Sequence, residues 1–496
     1  MNEGQIPGEG IPVEVNQEAS NTYNVPTQVQ NLGADVPPAP QAPVPETPVI
    51  PLSVVPPPAK AGFPKIAIFA VVALLIVAII FAVFKILTSS GSKKTEGTLT
   101  WWGLWEDPSI VQPLIDAYQS QHSGVKITYV KQSPQDYRER LTSSLAKGTG
   151  PDIFAFHNSW VPMFKNSLDA LPAGVMNPAD FAKTFYPIAS SDLTSGSNIV
   201  GIPLEYDALT LYINQDIFDA AGKTAPTTWD DFRNLAKTLT VKDDQGVITQ
   251  AGAAMGRTEN VDHWQEILAL LMLQNGVDLS NPTGKPAEDA LTFFTIFTTN
   301  DGIWDASLPS STQAFAAGKL AMYIGPSWRA FDIIQQNPSL RFKTFPIPQL
   351  PKDSPNQPDI TYATYWAQGV WSGSANKAIA WDFLKFLSTQ DSLTKLYQNA
   401  SKFRNFGEPY PRVDMASLLT SHPLAGSIVS QAPGAESWYL DSRTFDGPTG
   451  INSLMTNYFG DAVNAVADGK NTVDKVLVTT AAGVAQVLAQ YKLVAK

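Results

Sequence analysis

Flat aromatic side chains recur beside planar polar ones along this sequence, and that pairing is what a site for a polyhydroxylated ring requires. A pyranose offers an apolar face of C–H groups and a rim of hydroxyls, so aromatic platforms and carboxylate, amide or guanidinium groups hold it together. Trp105-Glu106, Trp264, Tyr365-Trp366 and Arg404 supply these types. Each also has a plain structural use: Glu106 with Asp107 can simply open a helix, and Trp264 can pack inside one. Catalytic chemistry is less well provided for. The four histidines, at 122, 157, 263 and 422, lack metal-ligand spacing, and His157 reads as a neutral residue satisfying a local backbone group. No serine elbow, His-Glu-x-x-His helix or phosphate loop occurs. Glu106 and Asp207 can be drawn as the facing acids of a glycoside hydrolase, but paired acids are not recognisable without geometry. With no cysteine there is no disulfide, thiolate metal site or cysteine nucleophile. Neither cofactor nor metal is expected.

The elements that must position these residues alternate strand with helix. Thr98 to Trp102 reads as a strand, and Asp107-Pro108 then caps and opens a helix whose apolar residues recur at 110, 111, 114, 115 and 118. Val125 to Val130 returns as a strand, a helix runs from Ser133 to Gly148, and Pro151 to Phe156 is a third strand. Ala208 to Ile213 reads as another, followed by Asn214 as a cap and by Thr228-Trp229-Asp230-Asp231 as a capping box. Such alternation predicts an α/β fold with a parallel sheet covered by helices, its ligand sites beyond the carboxyl ends of the strands.

Two further regions precede this one. Residues 1–63 hold thirteen prolines by position 58 and no helical or strand period, the composition of a disordered Pro-rich tail. Ile66 to Phe84 is nineteen residues without a charge between Lys65 and Lys85, long enough for one transmembrane helix within 64–87. A polar tether, 88–96, follows. The flanking lysines mildly oppose an outward C-terminus, but a domain of this size translocates largely regardless of them. The third region, 97–496, carries all twelve tryptophans. A net charge of −11 repels polyanions, so nucleic acid is not an expected partner.

In order along 97–496 stand a Leu99-Thr100-Trp101-Trp102 strand, Pro151-Asp152-Ile153, and Gly201-Ile202-Pro203-Leu204-Glu205-Tyr206-Asp207-Ala208 running on to Phe218. Pro226-Thr227-Thr228-Trp229-Asp230, Phe315-Ala316-Ala317-Gly318-Lys319-Leu320, Gly325-Pro326-Ser327-Trp328 and Asp468-Gly469-Lys470-Asn471 then follow. This series resembles the extracellular solute-binding proteins of ABC importers, in the sugar-binding family that includes maltose-binding protein. The resemblance implies a two-lobe periplasmic-binding-protein-like fold with a hinge. One lobe would comprise about 97–206 and 350–405, the other about 210–343 and 406–496, with crossings near 204–209 and 344–348. It places Asn158 and Trp160 in a ligand-contacting loop, Tyr206 and Asp207 in the crossing segment, and Ser327 and Trp328 at a stacking turn. The implied function is capture of a carbohydrate, a mono- or oligosaccharide, and delivery to ABC permease subunits served by a separate ATPase. The domain would lie extracellular or periplasmic on a single-pass anchor. The chain departs from many members of that family in lacking a lipidated cysteine; the helix takes the lipid's place. Two other functions compete: a sensor using the same two-lobe module through a partner, since 64 residues of Pro-rich tail cannot fold as a signalling domain, and the membrane-anchored glycoside hydrolase.

Overall fold

In a computed structural model, residues 96–493 are described, apart from 353, 355 and 356. The Pro-rich tail, the expected membrane helix and nearly all of the tether therefore lie outside the described residues. Within them no helix is long and apolar enough to cross a membrane.

Two five-stranded sheets organise the chain, each buried in its own core. The first has the order Val125–Lys131, Gly97–Gly103, Ile153–His157, Trp366–Val370, Ile202–Pro203. Its first three strands run parallel, as the alternation of elements predicts, but Trp366–Val370 is antiparallel to Ile153–His157 and to Ile202–Pro203. The sheet is therefore mixed. The second has the order Phe342–Phe345, Thr210–Asn214, Leu320–Gly325, Ile248–Ala253, Val241–Lys242, and is mixed too. The central strands Ile153–His157, Thr210–Asn214 and Leu320–Gly325 are buried at every position, which is why they are largely apolar on both faces rather than alternating, with polar His157, Thr210 and Asn214 only at their ends.

Local chemistry sets the helix starts. Asp107 Oδ1 accepts from the Ser109 amide at 3.0 Å and Pro108 occupies the first position of Pro108–Gln121, whose buried face is Ile110, Val111, Leu114, Ile115 and Tyr118. Asn214 caps Gln215–Ala221 and Thr228 caps Trp229–Leu239 through the Asp231 amide at 3.1 Å. A side chain at Gly252 would stand 2.0 Å from the Ala236 carbonyl oxygen, so glycine there lets Trp229–Leu239 lie directly on its strand.

The chain passes between the cores at sharply defined points. Ala208 belongs to the first core and Leu209 to the second; Tyr362 belongs to the second and Ala363 to the first. These crossings are hydrogen-bonded side by side, with Leu209 N donating to Tyr362 O at 2.9 Å and Ala208 bridged to Ala363. A third passage lies between Ala432, in the first core, and Leu440, in the second, and it too pairs here: Ala435–Glu436 runs parallel to Thr361–Tyr362. The expected crossing at 344–348 is corrected: Phe342–Phe345 is an edge strand of the second sheet and Ile347 lies in the second core. Proline-bounded extension marked a strand end there, not a passage between lobes. Likewise Tyr410, Met415, Leu419, Ile428, Val429 and Ala432 pack in the first core, although the expected boundary gave everything after 406 to the second.

Candidate functional site

Between the two cores lies a cavity of about 300 Å3 with walls from both lobes. The first-lobe wall is aromatic. Trp105, 36% exposed, meets Trp366 edge-on with ring centroids 5.4 Å apart, and His157 meets Trp366 at 5.3 Å. The second lobe contributes Trp328, with the guanidinium groups of Arg329 and Arg443 at 4.5 and 5.6 Å from its ring centre. Phe445 reaches across to Trp105 at 6.0 Å. Arg443 and Phe445 both adopt a left-handed backbone at φ 54°, which costs a side-chain-bearing residue about 1 kcal/mol or more and is tolerated where a loop must present particular groups.

Arg404 anchors the acidic end. Its Nη2 donates to Glu106 Oε1 at 2.7 Å and its Nη1 lies 3.3 Å from Glu408 Oε1, while its guanidinium sits 5.3 Å from the centre of the second-lobe Phe331 ring. Oxygens of Glu106, Glu205 and Glu408 all fall within 4.8 Å of one another. Three carboxylates thus share one cation. Burial, then repulsion by Glu408 and Glu106, holds Glu205 well above the ordinary carboxylate range, and burial raises Glu408. The trio has the donor type for a divalent cation, but Arg404 already neutralises two of its members.

At the other end, buried Arg329 donates from Nε to His263 Nε2 at 2.7 Å, which requires a neutral histidine with its proton on Nδ1. Burial lowers the pKa of His263 in the same sense. Ser442 Oγ lies 3.0 Å from that Nδ1 and donates to Glu266 Oε1 at 2.6 Å. A serine, a histidine and a glutamate are therefore adjacent, yet the histidine's accepting nitrogen is taken by Arg329 and the serine proton points at the glutamate. This is a fixed polar wall, without the serine-to-histidine proton path of an activated nucleophile.

Asp207 lies at the first crossing. Its carboxylate accepts from Ser327 N at 3.0 Å, Ser327 Oγ at 2.9 Å and Ala208 N at 2.8 Å, so it ties the crossing to the second lobe's Pro326-Ser327 turn. Burial, with Glu408 adding repulsion, pushes it up to about 7 despite those bonds.

Residues 102–392 match the model of the bacterial extracellular solute-binding proteins. The chain belongs to that family. Among its relatives is a binding protein of Brucella abortus, 23% identical over 304 residues, covering 57% of this chain and 69% of that one. An ABC transporter solute-binding protein of Thermotoga lettingae, solved with α-D-tagatose, aligns with a TM-score of 0.59 at 20% identity over 79% of this chain and 100% of that one. The cyclic α-maltosyl-1,6-maltose binding protein of Arthrobacter globiformis aligns with a TM-score of 0.63 at 18% identity over 80% and 100%. At these identities the structural likeness establishes the two-lobe fold.

Within this solute-binding fold, the residues singled out from sequence separate into three groups. Trp105, Asp207, Trp328, Tyr365, Trp366 and Arg404 line the cleft, and Glu106 lines a small adjoining cavity of about 40 Å3. Tyr365 is nevertheless 2% exposed, its hydroxyl donating to Asp192 at 3.1 Å. Trp160, Tyr206 and Trp264 are corrected to core positions, 0%, 2% and 5% exposed. Trp160 stacks on Tyr137 and Phe164, Tyr206 packs on Tyr186, and Trp264 lies against Gly460. Asn158 and Ser327 are buried and consumed locally: Asn158 donates to Asp192 at 2.9 Å and accepts from the Tyr365 amide, and Ser327 is the Asp207 tie. Sequence reasoning missed Glu205, Glu408, Glu266, His263, Phe331, Asp332, Arg443 and Phe445 as cleft residues and set His157 aside. Glu205 stood within the crossing motif itself, and Glu408 lies four residues after Arg404, with which it pairs in an irregular segment. Arg443 and Phe445 lie in an irregular loop and carried no signal.

Proposed function

We propose that this chain captures a carbohydrate in the interlobe cleft and hands it, unmodified, to the permease of an ABC importer. The observation that carries this is one cavity of about 300 Å3 lined by aromatic rings from both lobes, Trp105 with Trp366 from the first and Trp328 from the second, together with carboxylates and arginines. Two platforms on separate lobes grip both faces of a sugar ring only when the lobes come together, so binding energy and closure are coupled. Family membership and the sugars named for the Thermotoga and Arthrobacter proteins support the same chemistry. In this proposal, residues 66–84 anchor the chain, residues 88–96 tether it, and residues 97–496 act at the outer face of the membrane.

The test is a thermal-shift screen of the full chain against mono- and oligosaccharides and polyols. A ligand that binds the folded state alone at about a hundredfold its Kd adds about 2.7 kcal/mol of stability. A saccharide should raise the melting temperature, Trp328→Ala should abolish the rise, and the sugar should be recovered intact after incubation. A rise given only by amines or metal ions would overturn the carbohydrate assignment, and conversion of the sugar would point to a hydrolase.

A further inference from the structure

A second cavity, larger than the cleft at about 430 Å3, lies along the same seam and shares no lining residue with it. Its first-lobe side comes from 158–165 and 191–196, its second-lobe side from 437–439 and 492–493. The two cavities are back to back through single residues: His157 lines one and Asn158 the other, and Tyr365 lines the cleft while its hydroxyl bonds Asp192 in the second.

Donors dominate this second cavity. The Lys165 ammonium is half-buried; it donates to the Tyr491 carbonyl at 2.9 Å and has no carboxylate partner among the described residues. Lys492, also on the wall, has none either. The Ser191 and Ser195 hydroxyls, the Trp438 indole N–H and the Tyr439 hydroxyl are without hydrogen-bond partners among the described residues. Among the described residues Asp192 is the one carboxylate of the lining, and it is already satisfied by Asn158, Tyr365 and Ser437. A pocket with two ammonium groups and several idle donors, whose acceptor is saturated, complements a ligand rich in acceptors and negative in charge. The ring of Trp438 and the apolar sides of Val161, Pro162 and Leu493 call for a carbon skeleton beside that charge.

We propose that this seam pocket is a second ligand site, taking a small organic oxyanion, a carboxylate or a phosphate ester, that touches both lobes. Lys165 and Lys492 meet the charged group, and the skeleton lies against Trp438. The interlobe bond from Lys165 to the carbonyl of Tyr491 means that a bound anion sits where the lobes already join.

Calorimetric titration of the full chain with glucose 6-phosphate, citrate, glucose and inorganic phosphate tests this. Saturable binding of glucose 6-phosphate or citrate is expected, with glucose at least tenfold weaker at this site, because each charge-assisted hydrogen bond is worth roughly a factor of ten. Lys165→Gln and Lys492→Gln should each weaken the anion about tenfold, while Trp328→Ala leaves it unchanged. Lys492 is exposed, so its variant keeps the test sound if Lys165→Gln lowers the melting temperature. Absence of saturable anion binding, inorganic phosphate binding as tightly as the organic anions, or loss with Trp328→Ala and not with the lysine variants would each overturn the assignment.

Discussion

Two loops leave the carboxyl ends of neighbouring strands in one sheet, carry the same kinds of residue, and end in opposite states. Gly97–Gly103 leads to Trp105-Glu106, where the indole is 36% exposed to the cleft and Glu106 shares one arginine with two other acids. Ile153–His157 leads to Asn158-Ser159-Trp160, a tight turn in which the indole is fully buried and the neighbouring acid, Asp192, is met by three donors. The first loop leaves its acids sharing one cation, as a surface that awaits a ligand does; in the second the acid and the amide are met, and only the buried Trp160 indole N–H lacks a partner among the described residues. An aromatic beside an amide or acid at a strand end is therefore not yet a site. What separates the cases is whether the ring is buried and the neighbouring acid has been met by local donors.

The sharpest way to break this contrast is to truncate both tryptophans. Trp160→Ala removes a ring stacked between Tyr137 and Phe164 and should cost about 3–5 kcal/mol of stability, read as a fall in the urea midpoint with the saccharide absent. Trp105→Ala should leave that midpoint within about 0.5 kcal/mol while weakening saccharide binding by about 1–2 kcal/mol, seen by titration. Equal stability losses from the two would erase the distinction. The smallest effect concerns the acids that share one cation. Glu205→Gln removes a carboxyl whose pKa in the fold is raised by burial and by Glu408 and Glu106. A raised carboxyl pKa makes the wild type most stable with the proton on, and that stability is lost as pH climbs from the ordinary carboxylate range through the folded value. The variant does not titrate, so it should match the wild type near pH 4 and be the more stable of the two at pH 8. A variant less stable at pH 8 would mean that Glu205 is held by favourable partners after all.

Much of the architecture was legible because it rests on neighbours in sequence. The caps at Asp107, Asn214 and Thr228 satisfy amides two or three residues on, so residue type and spacing suffice to place those helix starts. The crossing at 204–209 was legible through its resemblance to a family motif, whereas the second crossing, at Tyr362-Ala363, depends on pairing with Leu209 across 150 residues of chain and left no local trace. The site divided the same way. Trp328 and Asp207 came from motifs, yet the role of Asp207 as a tie required Ser327, 120 residues away, to arrive with both its amide and hydroxyl.

By itself, then, the sequence determined the alternating α/β order, the largely apolar central strands, the helix starts and the family, all consequences of short-range patterning. Only the tertiary structure decided which tryptophans face the cleft. An indole gains much the same free energy from leaving water against any apolar partner, and whether Trp160 or Trp105 found such partners was fixed by the meeting of segments far apart in the chain. The same holds for charge: Arg404 neutralises Glu106 from 298 residues away, and Glu205 is left beside them without a cation of its own.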